Sequence, residues 1–465
     1  MKKLFADKKF YAGVLAIAFP IMVQNGISNF VSLLDNIMIG RVGTEQMSGA
    51  SIVNQLLFVF ILCMFGVVSG VGIFGAQYYG QKNYEGIRNV TRIKLVVGCV
   101  VTVAAILIFK MFDESLISIY LHDGSTEGSL EETLYYGRNY MKIMLLGLPP
   151  MAFEMSYSST LRECGETKVP MRASFIAVFV NLILNYILIY GKFGAPEMGV
   201  SGAAIATVIS RFIQMIYVVT WSHKNTDLCP YMQGLYSNFK ISPSLFKKVI
   251  ILALPLMLNE TLWSAGTAAV NACYSYRGLS VVAAINIQST IYNIFNIMYI
   301  AMGDAIAIIV GQQLGAGDIE EAKDTSLKII VMSVFFAIIC GTLMGFVSGL
   351  FPRLYNTTEE VRSIARNLII ITGCFMPIHA FLHAVYFAIR SGGKTFITFL
   401  FDSVYLWIIA FPFAYVIAHF TDMDIKPMFI LCQSIDLIKV TVGVFIYKSN
   451  IWAKNIIGDS SNISL

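Results

Sequence analysis

The chain has 465 residues, of which 57% are hydrophobic and only 13% charged, and its mean hydropathy is +0.70. Soluble domains carry about 25% charged residues, so this composition excludes a chain that is solvated over most of its surface. The formal net charge of +5 is small and its Lys and Arg are scattered, which leaves no basic patch for nucleic acid and makes their placement the informative feature.

A bilayer core takes about 20 predominantly apolar residues in a helix. Twelve stretches meet that length, near 13–39, 52–79, 93–119, 135–161, 171–191, 200–222, 249–275, 284–310, 327–350, 364–389, 396–419 and 427–447. They are too long and too uniformly apolar for the alternating ten-residue strands of a barrel, and a spanning helix satisfies its own backbone hydrogen bonds. The first stretch follows Lys2 and Lys3 and runs to Gly40 without a small-residue cleavage site, so it reads as a membrane helix and not as a removed signal. The predicted class is an all-α integral membrane protein with twelve transmembrane helices.

The punctuation of this chain occurs twice. Pro20, Gly43, Gly75 and Gly80 are echoed about 235 residues later by Pro255, Gly278, Gly311 and Gly315. Farther on, Pro149 answers Pro377, Arg162-x-x-Gly165-x-Thr167 answers Arg390-x-x-Gly393-x-Thr395, and Arg211 answers Lys439. The boundaries that follow are a six-helix lobe over 1–222, a linker over 223–248 holding Pro230, Gly234 and Pro243, and a second six-helix lobe over 249–465. Six spans per lobe give both copies one membrane orientation, with the pseudo-symmetry axis along the membrane normal. Such halves suggest a transporter whose substrate site lies between them. Most Lys and Arg, including Lys8, Lys9, Lys82, Arg88, Arg92, Lys94, Arg162, Lys168, Lys240, Lys247, Lys248, Lys323 and Lys454, fall on one side, while an acidic stretch from Asp123 to Glu132 falls on the other. The positive-inside rule then places both termini in the cytoplasm of a multi-pass protein of the cell (inner) membrane. The eight cysteines occur singly and indicate neither a disulfide framework nor a zinc site.

Polar residues within the apolar stretches are the candidate site. Asn25, Ser28, Asn29, Ser32, Asp35 and Asn36 share one face of the first helix. Glu260, Ser264, Thr267 and Asn271 repeat the device on the seventh, and Asn286, Ser289, Asn293 and Asn296 add a stripe on the eighth. Isolated Ser and Thr suit interhelical hydrogen bonding. Asp35 and Glu260 are different, because an ionised Asp at a helix centre costs roughly 2.5–3.5 kcal/mol on insertion scales and is retained for a reason. Asn181 and Asn185, at i and i+4 on the fifth helix, present two amides that suit either an oxygen cage for a hard cation or a proton-linked network. His379 and His383 share a face of the tenth helix without the Glu of a zinc-protease motif, and packing or a pH-sensitive role beside Glu260 are the two readings. Asp304 is a further intramembrane acid. Lys439 has Asp436 three residues before it as a predicted partner. Prolines 20, 149, 255 and 377 are expected to bend their helices.

The run Phe19-Pro20 through Leu34-Asp35-Asn36-Ile37-Met38-Ile39-Gly40-Arg41-Val42-Gly43 resembles the first helix of the multidrug and toxic compound extrusion (MATE) family. Gly75-Ala76-Gln77 with Gly311-Gln312-Gln313, the paired Arg-x-x-Gly-x-Thr motifs, and Gly199-Val200-Ser201-Gly202-Ala203-Ala204 resemble it too, in order over the whole chain. The resemblance implies two six-helix lobes forming a V, alternating access, and export of cationic or amphipathic small molecules driven by inward H+ or Na+ flow, with no cofactor. It implies that Asp35 takes the coupling ion with Asn181, Asn185 and Thr207 as neighbouring ligands. Some members carry Asp at the position of Asn185, so a cage here has one negative charge fewer. Glu260 resembles a seventh-helix acid used for cation coupling or substrate binding, and the family leans monomeric. Asn259, Asn271, Asn286, Asn293, Asp304, His379 and His383 join Glu260 as candidates for a substrate or cation site of the second lobe. A flippase for a lipid-linked cargo is the competing transport reading, and it calls for a more cationic cavity. A membrane enzyme calls for a catalytic cluster, and Gly393-Lys394-Thr395 lacks the preceding Gly of a P-loop.

Overall fold

The computed structural model describes residues 6–121, 130–237 and 241–458, apart from the side chains of Ser32, Leu33 and Asn36. Of the residues singled out above, Lys2, Lys3, the start of the acidic stretch at Asp123, Lys240 and the side chains of Ser32 and Asn36 therefore lie outside the described residues.

Every element among the described residues is helical. The order is α1 (Lys8–Gly40), α2 (Thr44–Gly80), α3 (Tyr84–Met111), α4 (Asp113–Ser118), α5 (Leu130–Met144), α6 (Leu148–Glu163), α7 (Lys168–Tyr190) and α8 (Gly199–Lys224). It continues with α9 (Pro243–Ser275), α10 (Leu279–Phe295), α11 (Ile297–Ala316), α12 (Ile319–Val347), α13 (Glu359–Ser391), α14 (Thr395–Phe399), α15 (Phe411–Phe420), α16 (Ile425–Ser434) and α17 (Asp436–Lys448). Eleven of the predicted spans coincide with helical segments long and apolar enough to cross a membrane. The remaining one, near 135–161, is divided between α5 and α6 by a 3-10 turn at Leu145–Gly147, where Pro149 and Pro150 open α6. Proline fits there because the first turn of a helix has no partner for its missing N–H. Pro20, Pro255 and Pro377, in contrast, lie inside α1, α9 and α13. The eighth predicted span is also interrupted, with α10 ending at Phe295 and α11 resuming at Ile297. Between α14 and α15 the chain winds as a π-helix over Leu400–Val404 and again over Leu406–Ala410.

The helices form two compact units. One comprises Val23–Gly75 and Tyr84–Ile250, so the segment read as a linker over 223–248 folds with it. Its core packs Val53, Phe60, Met64, Tyr140, Met141 and Leu148. The segment after α8 is strapped to α3: Arg88 Nε donates to the Tyr231 carbonyl at 3.3 Å, and Arg92 donates to those of Leu235 and Gly234 at 2.8 and 2.7 Å. Tyr231 is fully buried by that strap.

The other unit comprises Ile251–Leu465 together with Met1–Met22 and Ala76–Asn83. Its core includes Tyr274, Ile285, Leu368, Ala414 and Met428. Within it the end of α2 lies against α11, and glycine is required on both sides. A Cβ on Gly80 would stand 1.9 Å from the Gln312 carbonyl oxygen, and one on Gly315 would stand 2.0 Å from that of Gln77. Small residues permit such backbone approach between membrane helices. The segment after α17 seals the same place, with Trp452 fully buried and Asn455 Nδ2 donating to the Gly315 carbonyl at 3.0 Å.

Candidate functional site

In the unit built on Val23–Gly75 and Tyr84–Ile250, α1, α7 and α8 bring four candidate residues into one chain of hydrogen bonds. Asn185 Nδ2 donates to Asp35 Oδ1 at 2.6 Å and to Asn181 Oδ1 at 3.1 Å, and Asn181 Nδ2 donates to Thr207 Oγ1 at 3.3 Å. The i, i+4 spacing on α7 sets the two amides one above the other, and their face is turned inward, with Asn181 and Asn185 both buried. Tyr190 Oη donates to the Met38 carbonyl at 3.1 Å, which fixes α1 against α7 one turn away. Asn185 Oδ1 is buried and has no hydrogen-bond partner among the described residues. An orphan buried acceptor is costly, so the carboxylate and this carbonyl oxygen together form a place where a proton donor or a cation is favoured.

The other unit holds a larger network. Asn259, fully buried on α9, is the hub: its Nδ2 donates to Tyr386 Oη at 3.2 Å and to Asp402 Oδ2 at 3.1 Å, while its Oδ1 accepts from the Ser403 hydroxyl at 2.7 Å. Tyr386 Oη in turn donates to Glu260 Oε1 at 3.3 Å. Arg390 lies against the faces of Phe387 and Tyr386, 4.5 and 5.9 Å from the ring centroids. The histidines do not converge on a common ligand position. His379 Nε2 is 3.8 Å from Asp436 Oδ2, whereas His383 is wedged between the rings of Tyr299 and Phe387. Asp304 is partly buried on α11, and Asn271, Asn286 and Asn293 are exposed on their helices, in contrast to Asn259.

Lys439 does not take the partner that its spacing predicts. Its Nζ lies 2.6 Å from Asp402 Oδ1, across to the π-helical segment, and Asp436 faces His379 instead. Asp402 stands within the π-helical segment Leu400–Val404, and such segments are frequent at functional sites. Asp402 escaped the sequence reading although it stands inside an apolar stretch, and the rule that singled out Asp35 applies to it equally. Lys94, read as one of the orienting basic residues, is instead fully buried and bonded to both carboxylate oxygens of Glu163 at 2.6 and 2.7 Å.

Two internally repeated sets of long apolar helices, each enclosing its own buried polar network, define a polytopic membrane transporter. A family model described as MatE matches residues 20–187 and 255–416, once in each repeat, and the chain belongs to that family. The probable multidrug resistance protein YoeA of Bacillus subtilis is 23% identical over 411 residues, covering 87% of this chain and 86% of that one. The probable multidrug resistance protein NorM of Thermotoga maritima is 23% identical over 447 residues, covering 95% and 93%. Among solved structures, a mutant of the Vibrio cholerae MATE transporter VcmN superposes with a TM-score of 0.87 at 18% identity, over 97% of this chain and 99% of that one.

Proposed function

We propose that this protein is a secondary antiporter that exports cationic or amphipathic small molecules, as the names of its multidrug resistance relatives suggest. The observation that carries the coupling step is the Asp35–Asn185–Asn181–Thr207 chain with the orphan oxygen of Asn185 beside it. A proton on Asp35, or a Na+ held between Asp35 and the two amide oxygens, is favoured there by the same oxygen donors. Release of that ion on the cytoplasmic side frees the carboxylate for the next cycle. In this reading Glu260, Asn259, Asp304, His379 and His383 receive the cargo, and Asn271, Asn286 and Asn293 line its route.

Both termini are cytoplasmic in this reading, by the excess of Lys and Arg on that side, and the protein works as a monomer in the inner membrane.

The test is efflux of a fluorescent cationic dye from proteoliposomes under an imposed proton or sodium gradient, with Asp35→Asn and Glu260→Gln measured alongside. Efflux driven by one gradient and abolished by Asp35→Asn identifies the ion and its residue. Efflux that survives Asp35→Asn undiminished overturns the coupling assignment. A correctly inserted protein that exports none of several dyes under either gradient overturns the organic-cation reading.

A further inference from the structure

Among the described residues, two lysine–carboxylate pairs join long apolar helical segments, and they differ in enclosure. Lys94–Glu163 is the more enclosed, with the lysine side chain 0% and the glutamate 10% exposed. Lys439–Asp402 is more open: the lysine side chain is 13% and the aspartate 18% exposed. The ammonium of Lys439 also stands over two aromatic faces, 5.2 Å from the Phe401 centroid and 5.6 Å from that of Tyr405. A carboxylate flanked by aromatic faces is the chemistry that recognises an organic ammonium ion.

The repeat shows that the fold does not require this charge. At the offsets of the two repeats, Ser174 occupies the position of Asp402, Gln24 that of Asn259 and Arg211 that of Lys439. The amide-to-fifth-helix bond is kept, Gln24 Nε2 donating to Ser174 Oγ at 3.1 Å where Asn259 donates to Asp402. The carboxylate is not kept, and Arg211 Nη1 is buried without a hydrogen-bond partner among the described residues. The same helices therefore pack around a neutral serine in one repeat and around an accessible, aromatic-flanked ion pair in the other.

We propose that Asp402, Phe401 and Tyr405 form a subsite for the ammonium group of a transported organic cation, and that Lys439 is its resident competitor. When the substrate cation enters, its charge replaces that of Lys439 on Asp402. The released ammonium is then met by Asp436, one helical turn back on the same helix. The subsite gains one positive charge and loses no hydrogen-bond acceptor. This assignment rests on the organic-cation reading of the proposed function.

The probe is ethidium, an aromatic quaternary cation, titrated by fluorescence into the purified full-length protein. A competitor that occupies a site about nine-tenths of the time weakens apparent affinity about tenfold. Lys439→Met is therefore expected to bind ethidium roughly tenfold tighter, Lys439→Arg to stay near the wild type, and Lys439→Met with Asp402→Asn to lose the gain. Lys439→Met leaves Asp402 without its cation, so a lowered melting temperature that ethidium restores is the second expected readout. An unchanged or weaker ethidium affinity in Lys439→Met, or lost stability that ethidium does not restore, overturns the exchange. If the wild type exports ethidium while Lys439→Met binds it no tighter, only the exchange falls. If the wild type neither binds nor exports it, the organic-cation reading falls with it.

Discussion

Lys94 grips Glu163 through both carboxylate oxygens, and the two glycines of α2 that face the pair leave no room for anything larger. A Cβ on Gly72 or Gly75 would stand 2.4 or 2.1 Å from a Glu163 carboxylate oxygen. Ser159 and Thr160 complete the lysine's hydrogen bonds at 3.0 and 3.2 Å, so the pair is fully partnered within one unit. Removing one partner of such a pair leaves an uncompensated buried charge, at a cost of about 3–5 kcal/mol. Lys94→Met is therefore expected to lower the melting temperature in detergent sharply, and Lys94→Met with Glu163→Gln to recover most of it. A double variant no more stable than Lys94→Met would show that the loss comes from packing around the lysine stem.

Asn185→Asp tests the ion cage from the opposite direction. It sets a second carboxylate where Asn185 now donates to Asp35 at 2.6 Å, and like charges so close repel unless a cation is shared. Hard cations prefer such anionic oxygen sets. The expected outcome is dye efflux that becomes more strongly stimulated by a sodium gradient than in the wild type, by severalfold. A variant with unaltered ion preference would remove Asn185 from the ligand set.

Eleven of the twelve spans and the repeat were legible in the sequence, because membrane length and punctuation are local signals, whereas the break at Leu145–Gly147 was not. The Asp35, Asn181, Asn185 and Thr207 group was legible too, since its helical spacings and resemblance pointed to one place. The rest was hidden for identifiable reasons. Which acid Lys439 meets depends on a contact between helices 37 residues apart in the chain, and no local spacing announces that. The burial of Lys94 depends on Gly72 and Gly75 opening a hole opposite it, a relation between helices that charge counting cannot see.

The segment following α17 is expected to be structural and not a disposable tail. Gln77 donates to the carbonyls of Ser391 and Lys454 at 3.0 and 3.2 Å and accepts from the Ile456 amide at 2.9 Å. Gln77→Leu strands those backbone groups, at about 1–3 kcal/mol for each group that stays buried. Trp452→Ala empties a fully buried site and costs about 3–5 kcal/mol. Both losses are measurable as thermal shifts, and a chain ending at Ser449 should be less stable than either variant. Equal stability of the shortened chain and the full chain would refute the role.

Arg277 makes a prediction that separates charge from geometry. It follows α9 and directs its guanidinium at the end of α15, donating to the carbonyls of Met423, Ala418, Ile417 and Thr421 at 2.7 to 3.0 Å. The last carbonyls of a helix have no partner within it, and a cation there also meets the negative end of the helix dipole. Lysine would supply the charge, but it lacks the planar fork that reaches four oxygens at once. Arg277→Ala is expected to cost about 2–3 kcal/mol, as hydrogen bonds from a charged group do. Arg277→Lys should recover less than half of that loss in thermal unfolding. Full recovery by lysine would mean that the dipole interaction carries the contact; no recovery would assign it entirely to the fork.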